Sequence, residues 1–344
     1  MLDMFEEANI GVESFDPTQE IGGLKATTSD LTQTAIEILL RILLNNSILC
    51  CSISGGKDSV TMTSLALVAM RMLVEQSGTD LPSKPVIHLI TSDTGNENII
   101  KKQYLVKYFQ RCEWYGMEHG FEVVVHQCGP TRVSSFLRVY SGGKPDPRPK
   151  MSSKKKECAT SMKVEPIQRE LRSLKRETEK SGSDFVMLVG SRDEESTSRQ
   201  KSLEKYNASE SNTIVVNGYK TLYPIKNWAL ENIWEYLTFA EDTEYLIDAM
   251  IPGSQNGFPE TAELYAGFNG GGCVTSLGHD DVQCGARDGC SSCMVVENDR
   301  SAENQAEHSD YKHVSRTLKD ILALRNWRKD FGDDYQNRNF ISMV

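Results

Sequence analysis

The eight residues at 52–59, Ser-Ile-Ser-Gly-Gly-Lys-Asp-Ser, constrain the fold more than any other part of this sequence. They follow an apolar run over 47–51 and precede a segment over 60–75 that is rich in Leu, Met and Ala, so they predict a strand, a tight turn and a helix. The N–H groups at the start of a helix lack partners within the helix, and together with the helix dipole they attract an anion. The turn therefore predicts a phosphate-binding site.

Each residue type in this turn has a use in binding phosphate. Glycine lets the backbone approach the anion closely, lysine adds positive charge, and serine adds hydroxyl donors. A Gly-Gly pair alone would also fit an ordinary turn between a strand and a helix. The string is not a Walker A loop, which has four residues between its glycines and a Lys-Ser or Lys-Thr pair after the second. The expected nucleotide contacts are Ser54, Gly55, Gly56, Lys57, Asp58 and Ser59.

Strand-like and helix-like segments alternate over the first half of the chain. Apolar runs at 47–51, 85–90, 121–126 and 185–189 predict buried strands, and helical patterns lie at 31–44, 60–75, 96–120 and 164–180. Alternation of this kind predicts an α/β fold with a parallel sheet and flanking helices. We expect a lead-in segment over 1–27, a nucleotide-binding domain over 28–240, and a Cys-rich and helical subdomain over 241–344.

Polar residues follow two of the predicted strands. In parallel sheets ligands bind beyond the carboxyl ends of the strands, so Asp93, Gly190, Arg192 and Arg199 are further expected nucleotide contacts. Two arginines with hydroxyl side chains between them suit phosphate or adenylate. Asp93 would equally fit a capping or turn residue, and the arginines a solvated loop.

The charge of the chain limits its partners. The 344 residues include 38 Lys and Arg against 48 Asp and Glu, a formal charge of −10, which argues against binding nucleic acid by global attraction. The segment 129–157 is instead basic, and it is either a solvated loop or a contact for a polyanion. No signal-peptide pattern or membrane span is visible, so we expect a cytoplasmic protein without a membrane contact.

The nine cysteines are expected to be metal ligands, reactive thiols or core residues rather than disulfides. Cys158 follows a run of lysines, which favour the nucleophilic thiolate, although a buried apolar role would also fit. The last four cysteines fit structural zinc or a 4Fe-4S cluster, and their spacing does not decide between these or exclude the absence of metal. These candidate ligands are Cys273, Cys284, Cys290 and Cys293.

Taken together, several motifs resemble one enzyme superfamily. The turn at 52–59 is similar to the PP-loop of ATP pyrophosphatases. With Ser-Asp-Thr-Gly-Asn-Glu at 92–97, Cys-Ala-Thr at 158–160, the Gly-x-Arg motif at 190–192 and Pro-Ile-Lys-x-Trp at 224–228, the chain resembles the PAPS-reductase-like superfamily. The segment 284–296 resembles more narrowly the DndC and SspD proteins of bacterial DNA phosphorothioation.

That resemblance implies an adenine nucleotide α-hydrolase-like fold of the HUP type. It also implies ATP and Mg²⁺ as cofactors, release of pyrophosphate, and a 4Fe-4S cluster held by the four C-terminal cysteines. The implied reaction adenylylates an oxygen of the DNA backbone, after which sulfur supplied by a cysteine desulfurase displaces AMP. Lys57, Asp58 and Cys158 are the implied catalytic residues. The middle motif departs from the family because Lys156-Glu157 precede Cys158, where an Arg and an aromatic residue are common.

Three other functions fit the sequence. A PAPS or adenylylsulfate reductase would need no ATP, although no cysteine after Cys293 supplies the C-terminal thiol of thioredoxin-dependent reductases. A second PP-loop alternative is a thiolase that acts on tRNA. A third, of a different class, is a scaffold that holds a cluster and binds nucleotide without turnover.

Overall fold

A computed structural model of the chain describes residues 26–78, 83–141, 157–195, 197–238, 258–268, 290–292 and 298–333. The predicted lead-in at 1–27 lies almost entirely outside these ranges, as do Cys273, Cys284 and Cys293 of the predicted Cys-rich subdomain. The centre of the described part is a sheet of six strands. They are β1 (Ser47–Ser52), β2 (Val86–Ser92), β3 (Glu122–Cys128), β4 (Asp184–Val189), β5 (Ile214–Val216) and β6 (Tyr219–Leu222).

The sheet has the order β3-β2-β1-β4-β6-β5, and all neighbouring strands except β5 and β6 are parallel. This confirms the predicted α/β class with a mostly parallel sheet and flanking helices. The connection from β1 leads to β2 on one side, and β4 lies on the other side of β1. The order of strands therefore reverses at β1, and the carboxyl ends of β1 and β4 form the crevice in which such folds bind ligands.

Helices cover both faces of the sheet. The described helices are α1 (Thr28–Leu44), α2 (Lys57–Ser77), α3 (Ile99–Glu118), α4 (Phe136–Ser141), α5 (Glu157–Ala159), α6 (Glu165–Lys180), α7 (Thr197–Lys205), α8 (Leu230–Thr238), α9 (Pro259–Phe268), α10 (Arg300–Glu307) and α11 (Lys312–Asp333). A π-helical turn, Thr160–Val164, joins α5 to α6. No helix in the described ranges combines the length and apolarity needed to cross a bilayer.

The alternation of side chains along β1 divides the core into two layers. Leu49 and Cys51 join the apolar cluster of α1, α2, α3 and α8, whereas Cys50 joins a cluster with Leu171 and Leu174 of α6 on the other face. Burial raises the pKa of the Cys51 thiol to about 12 and raises that of Cys50 as well. Both cysteines are therefore protonated core residues.

The first helices begin earlier than the sequence predicts, because their caps lie outside the apolar pattern. Thr27 caps α1 and forms a reciprocal capping box with Asp30, so that helix begins at Thr28 instead of residue 31. Gly56 is the N-cap of α2, so that helix begins at Lys57 instead of residue 60. The two residues with the strongest predicted chemistry, Lys57 and Asp58, thus lie in the first turn of α2.

At one edge the sheet also contains an antiparallel pair of strands, which the sequence analysis did not predict. β5 and β6 form an antiparallel hairpin, and its turn residues Asn217 and Gly218 have φ of 51° and 85°. Both positive values fit a type I′ turn, for which Asn-Gly is a preferred pair. The Pro-Ile-Lys-x-Trp motif at 224–228 lies between the end of β6 at Leu222 and the start of α8 at Leu230.

The C-terminal helices form a second small core beside the sheet. Apolar side chains of α9, α10 and α11 pack together with Ile100 at the start of α3. The set consists of Ile100, Leu264, Phe268, Ala302, Ala306, Val314, Leu318 and Leu322. This packing holds α9 next to the turn between β1 and α2, which is called the nucleotide turn below after its predicted ligand.

Candidate nucleotide site

The turn between β1 and α2 is shaped by two close approaches of the backbone. Gly55 has φ of +73°, and a Cβ there would lie 2.9 Å from Cδ2 of Leu105. At the end of β4, a Cβ on Gly190 would lie 2.7 Å from the backbone oxygen of Asp58. Gly190 therefore lets β4 pass directly beside the first turn of α2. This packing requires glycine by itself, and a nucleotide contact at Gly190 stays a prediction.

Two serines hold the turn in shape through their own hydroxyls. Ser59 Oγ donates to the carbonyl of Gly56 at 2.8 Å, and the hydroxyls of Ser54 and Ser59 lie 3.2 Å apart. Ser54 Oγ in turn accepts the N–H of Gly56 at 3.3 Å. The N-cap residue itself, Gly56, contributes no side-chain cap to α2. The helix start is thus ordered in advance, and its dipole faces the position predicted for phosphate.

A buried group of charges lies directly under this turn. Arg192 Nε donates to Asp58 Oδ1 at 2.6 Å, and Arg192 Nη1 donates to the carbonyl of Trp228 at 3.1 Å. Lys57 Nζ lies 3.3 Å from the other carboxylate oxygen of Asp58. All three charged residues are buried. Asp58 thereby ties the end of β4 to α2 and places Lys57.

The structure bears on two of the predicted nucleotide contacts, Arg192 and Arg199. The guanidinium of Arg192 faces protein groups, so its contribution in this conformation is to position Asp58 and through it Lys57. Lys57 remains the predicted cation of the turn. The side chain of Arg199 lies outside the described part of the chain, although its backbone belongs to α7. Its predicted contact with the nucleotide remains a prediction.

Asp93 follows β2 at the same edge of the sheet. Its carboxylate accepts the N–H of Gly95 at 2.9 Å and the Lys102 ammonium at 3.0 Å. Burial acts to raise the pKa of Asp93, but these two partners outweigh it and lower the pKa. Asp93 is therefore a charged acceptor at the edge of the sheet where β1 also ends. Its bond to the N–H of Gly95 also makes it a turn residue, the alternative that the sequence analysis left open.

A tyrosine that the sequence did not single out occupies the turn. The hydroxyl of Tyr265 on α9 accepts the N–H of Lys57 at 3.1 Å, and the Lys57 ammonium lies 5.4 Å from the centre of its ring. The ring packs edge-on against Trp234 at 5.3 Å. An oxygen of a bound phosphate would compete for the same N–H. Nothing in the sequence near Tyr265 signals this contact, because it is made across more than 200 residues.

Replacing Tyr265 with Phe should tighten nucleotide binding. The ring would keep its packing, whereas the N–H of Lys57 would lose its competing acceptor. The value of one hydrogen bond, about 0.5–1.5 kcal/mol, corresponds to roughly a 2- to 12-fold lower Kd for ATP by titration calorimetry. Tyr311→Phe is the matched control, since that hydroxyl contacts α9 at the carbonyl of Glu263 instead. Weaker binding by the Tyr265 variant would instead identify the hydroxyl as a ligand of the nucleotide.

A half-buried acid lies beside Asn227, which is in the segment after β6. Glu210 accepts the backbone N–H of Asn227 at 2.7 Å and its side-chain amide at 3.0 Å. Lys226 pairs with Asp193 at 2.6 Å beside it. Burial raises the pKa of Glu210 to about 7, although the Asn227 donors and Lys226 act in the opposite direction. Glu210 therefore changes charge near neutral pH within the segment that supports Arg192.

Glu210 should make the stability of the protein depend on pH. Its pKa is higher in the folded state than the ordinary value of 4.5, so the free energy of unfolding falls as the pH rises between about 4.5 and about 7. The shift corresponds to roughly 1–3 kcal/mol. Denaturant unfolding at several pH values should show that Glu210→Gln flattens this fall, whereas Glu204→Gln on the exposed face of α7 retains it. An unchanged slope in the Glu210 variant would refute the assignment.

Of the predicted cluster ligands, the structure describes Cys290 alone. Its backbone forms a β-bridge with Glu97, and the next residue, Ser291, donates its N–H to the carbonyl of Asn96 at 2.7 Å and its hydroxyl to the carbonyl of Glu97 at 2.7 Å. Cys290 thus lies beside the loop that follows β2. In the described ranges no group of three or more His, Cys, Asp or Glu could hold a metal. The cluster and its four ligands remain predictions.

Cys158 lies in the short helix α5. It is half-buried in α5, which continues through the π-helical turn into α6 on the sheet face opposite α2. Among the described residues no hydrogen bond or ion pair joins Cys158 to the turn. Single π-helical turns are frequent at functional sites, but the sulfur-carrying role of Cys158 is not tested by this placement.

The comparison with family models decides the family. Residues 48–246 match the phosphoadenosine phosphosulfate reductase domain, which is 199 of 344 residues and more than half of the chain. The chain belongs to this family. Its description names a domain that acts on an adenine nucleotide carrying sulfur, so the chain is a member of a family of nucleotide-utilising enzymes with sulfur-related chemistry. The matched range contains the nucleotide turn, Asp93, Cys158 and Arg192.

Some solved structures resemble the chain weakly. The FMN adenylyltransferase of Candida glabrata is 14% identical with a TM-score of 0.36, and the match covers 65% of this chain and 61% of that one. The U34-tRNA thiolase NcsA of Methanococcus maripaludis, with its 4Fe-4S cluster, is 14% identical with a TM-score of 0.33, and the match covers 88% and 82%. The chain spans about three fifths of the adenylyltransferase. Among the curated proteins, none matches the chain.

Proposed function

We propose that this protein is an ATP pyrophosphatase of the sulfurtransferase type. The observation that supports it is the start of α2, where a glycine N-cap, Gly55 at positive φ and the buried Lys57 suit the binding of a phosphate group. In this proposal the triphosphate binds with Mg²⁺ so that an oxygen nucleophile attacks the α phosphorus. Pyrophosphate leaves, and AMP remains on the nucleophile.

The proposed nucleophile is a non-bridging oxygen of the DNA backbone. Adenylylation converts that oxygen, a poor leaving group, into part of a phosphoanhydride from which AMP departs. A persulfide sulfur delivered by a cysteine desulfurase then attacks the DNA phosphorus, and AMP carries away the bonding electrons. A further thiol must cleave the remaining S–S bond, leaving sulfur on the phosphorus and a disulfide on the protein side. We propose that Cys158 carries the persulfide.

Residue roles follow from the contacts. Lys57 offsets the negative charge that develops during attack on the α phosphorus, and Asp58 with Arg192 holds α2 and Lys57 in place. Cys273, Cys284, Cys290 and Cys293 would hold a 4Fe-4S cluster, which supplies redox chemistry or a sulfur site when bound. The placement of Cys290 against the loop after β2 supports a cluster at the same edge of the sheet.

The products of ATP turnover test this function. The full chain with ATP, Mg²⁺, DNA and a cysteine desulfurase with cysteine should release pyrophosphate and AMP. ADP with orthophosphate, or no product, would refute the proposal. Mass spectrometry of the desulfurase-treated chain should find one added sulfur atom on Cys158, and its absence there would remove the relay role alone.

The description of the matched family keeps one alternative, a PAPS or adenylylsulfate reductase. Such an enzyme would release sulfite from PAPS or adenylylsulfate with a thiol reductant and without ATP. The same preparation can be assayed for both products. Sulfite without pyrophosphate would decide for the reductase.

A further inference from the structure

A surface of aromatic and basic side chains lies between α4 and α11. Its two aromatic residues on α11, Trp327 and Phe331, have ring centres 5.3 Å apart at an interplanar angle of 26°, and they are 59% and 42% exposed. The guanidinium of Arg328 lies 5.6 Å from the ring centre of Phe136 on α4, which joins the two helices. Stacked rings of this size at the surface of a soluble protein indicate a binding site.

The two segments that carry this surface, 129–141 and 327–331, hold more cations than acids, although the whole chain is acidic. Arg132 and Arg138 are exposed on the segment that leads into and through α4, and residues 129–141 contain no Asp or Glu. On α11, the three residues between Trp327 and Phe331 are two cations, Arg328 and Lys329, and one acid, Asp330. The chain as a whole has a formal charge of −10. A cationic surface within such a chain is a local feature that favours a polyanion.

The combination of chemistry selects one kind of polyanion. Flat rings exposed beside arginines stack the bases of a single strand while the cations contact its phosphates. In a duplex the bases are already stacked on one another and offer no free face. A folded acidic protein would use the charges but not the stacked ring pair. We propose that this aromatic–basic surface binds an unpaired segment of nucleic acid.

The position of the surface relates it to the nucleotide turn. α4 begins shortly after the carboxyl end of β3, on the edge of the sheet where β1 and β4 also end. The first half of α11 packs in the small core with α9, and α9 carries the tyrosine that contacts Lys57. α11 is 22 residues long, about 33 Å, so its aromatic end lies within one helix length of that core.

This inference deepens the proposed function, on which it rests for the choice of nucleic acid as substrate. It adds that the strand is engaged with its bases unstacked, which would expose a backbone phosphate to the reaction. Binding is measured without ATP and separately from pyrophosphate release. Either of the two can therefore fail while the other holds.

The test is fluorescence anisotropy of the full chain with a labelled single strand of about 20 nucleotides and with the duplex of the same sequence. The single strand should bind more tightly than the duplex. Trp327→Ala with Phe331→Ala should weaken single-strand binding by at least about 10-fold, since stacking contributes about 1–3 kcal/mol per base. Trp327→Phe keeps a ring and should retain most of the affinity.

A second variant tests the basic side chains through the salt dependence of binding. Arg132→Ala with Arg138→Ala should lower the slope of log Kd against log salt by about 1.4, about 0.7 for each phosphate contact on a single strand. Val215→Ala on β5 is the control, because it removes an exposed apolar side chain on a distant strand edge. Circular dichroism of each variant checks that it is folded.

Three outcomes would overturn the inference. The first is equal affinity for the single strand and the duplex. The second is single-strand binding that neither pair of substitutions weakens. The third is that the aromatic variant no longer binds vesicles of anionic phospholipid but still binds DNA. The last outcome would assign the surface to a membrane instead. Single-strand binding without pyrophosphate release would sustain the inference and refute the proposed enzyme.

Discussion

Asp58→Ala should lower the free energy of unfolding by about 3–5 kcal/mol, as expected when one partner of a buried ion pair is removed. The substitution leaves the guanidinium of Arg192, whose side chain is 3% exposed, with the Trp228 carbonyl but without a buried counter-charge. It also leaves the Lys57 ammonium, 9% exposed, beside that guanidinium. Denaturant unfolding monitored by circular dichroism measures the loss. A change below about 1 kcal/mol would show that the pair is solvated and does not tie β4 to α2.

A double-mutant cycle separates this effect from loss of packing. Arg192→Met fills the space of the aliphatic part of arginine and removes the charge that Asp58 compensates. Because the double variant Asp58→Ala with Arg192→Met has no unpaired guanidinium, it should be more stable than Asp58→Ala alone. Asp58→Asn keeps an oxygen acceptor for Arg192 Nε and should lose less stability than the alanine variant. Additive losses in the cycle would contradict direct coupling.

The sequence predicted the part of the fold that local patterns encode. The strand, glycine turn and helix at 47–77 follow from apolar runs and glycine chemistry, and the structure has them within a few residues. The antiparallel hairpin had a local signal too, the Asn217-Gly218 pair between β-branched and aromatic residues, and the prediction missed it.

The site was only partly predictable, because its partners are distant in the chain. The sequence predicted Asp58 and Arg192 as separate nucleotide contacts. Only the structure shows that the two side chains pair with each other, where Gly190 packs against α2. Tyr265 contacts Lys57 across 208 residues, and its neighbourhood carries no motif. Periodicity and motifs describe short stretches, whereas a buried charge pair depends on how the strands are ordered. The order of β1 and β4 is a property of the whole sheet.

Lys57→Ala should lower kcat/KM for pyrophosphate release by about 10²–10³-fold, the usual cost of removing one preorganised charge donor. The ammonium is held by Asp58 at 3.3 Å and by the ring of Tyr265, so it is in place before the reaction and need not reorganise. The effect should lie mainly in kcat, because negative charge grows as pyrophosphate departs. Product release is measured with a coupled pyrophosphate assay at saturating DNA.

Two controls separate this effect from folding and from general loss of charge. Lys57→Ala keeps Asp58 paired with Arg192, so its stability should stay much closer to that of the parent than does the stability of Asp58→Ala. Lys175→Ala removes a lysine that contacts the Gly218 carbonyl and the Tyr219 ring at the opposite edge of the sheet, and it should leave turnover unchanged. Unaltered pyrophosphate release in a folded Lys57 variant would mean that the amides of the turn bind the triphosphate without this cation. The proposed role of Lys57 in stabilising the departing charge would then be wrong.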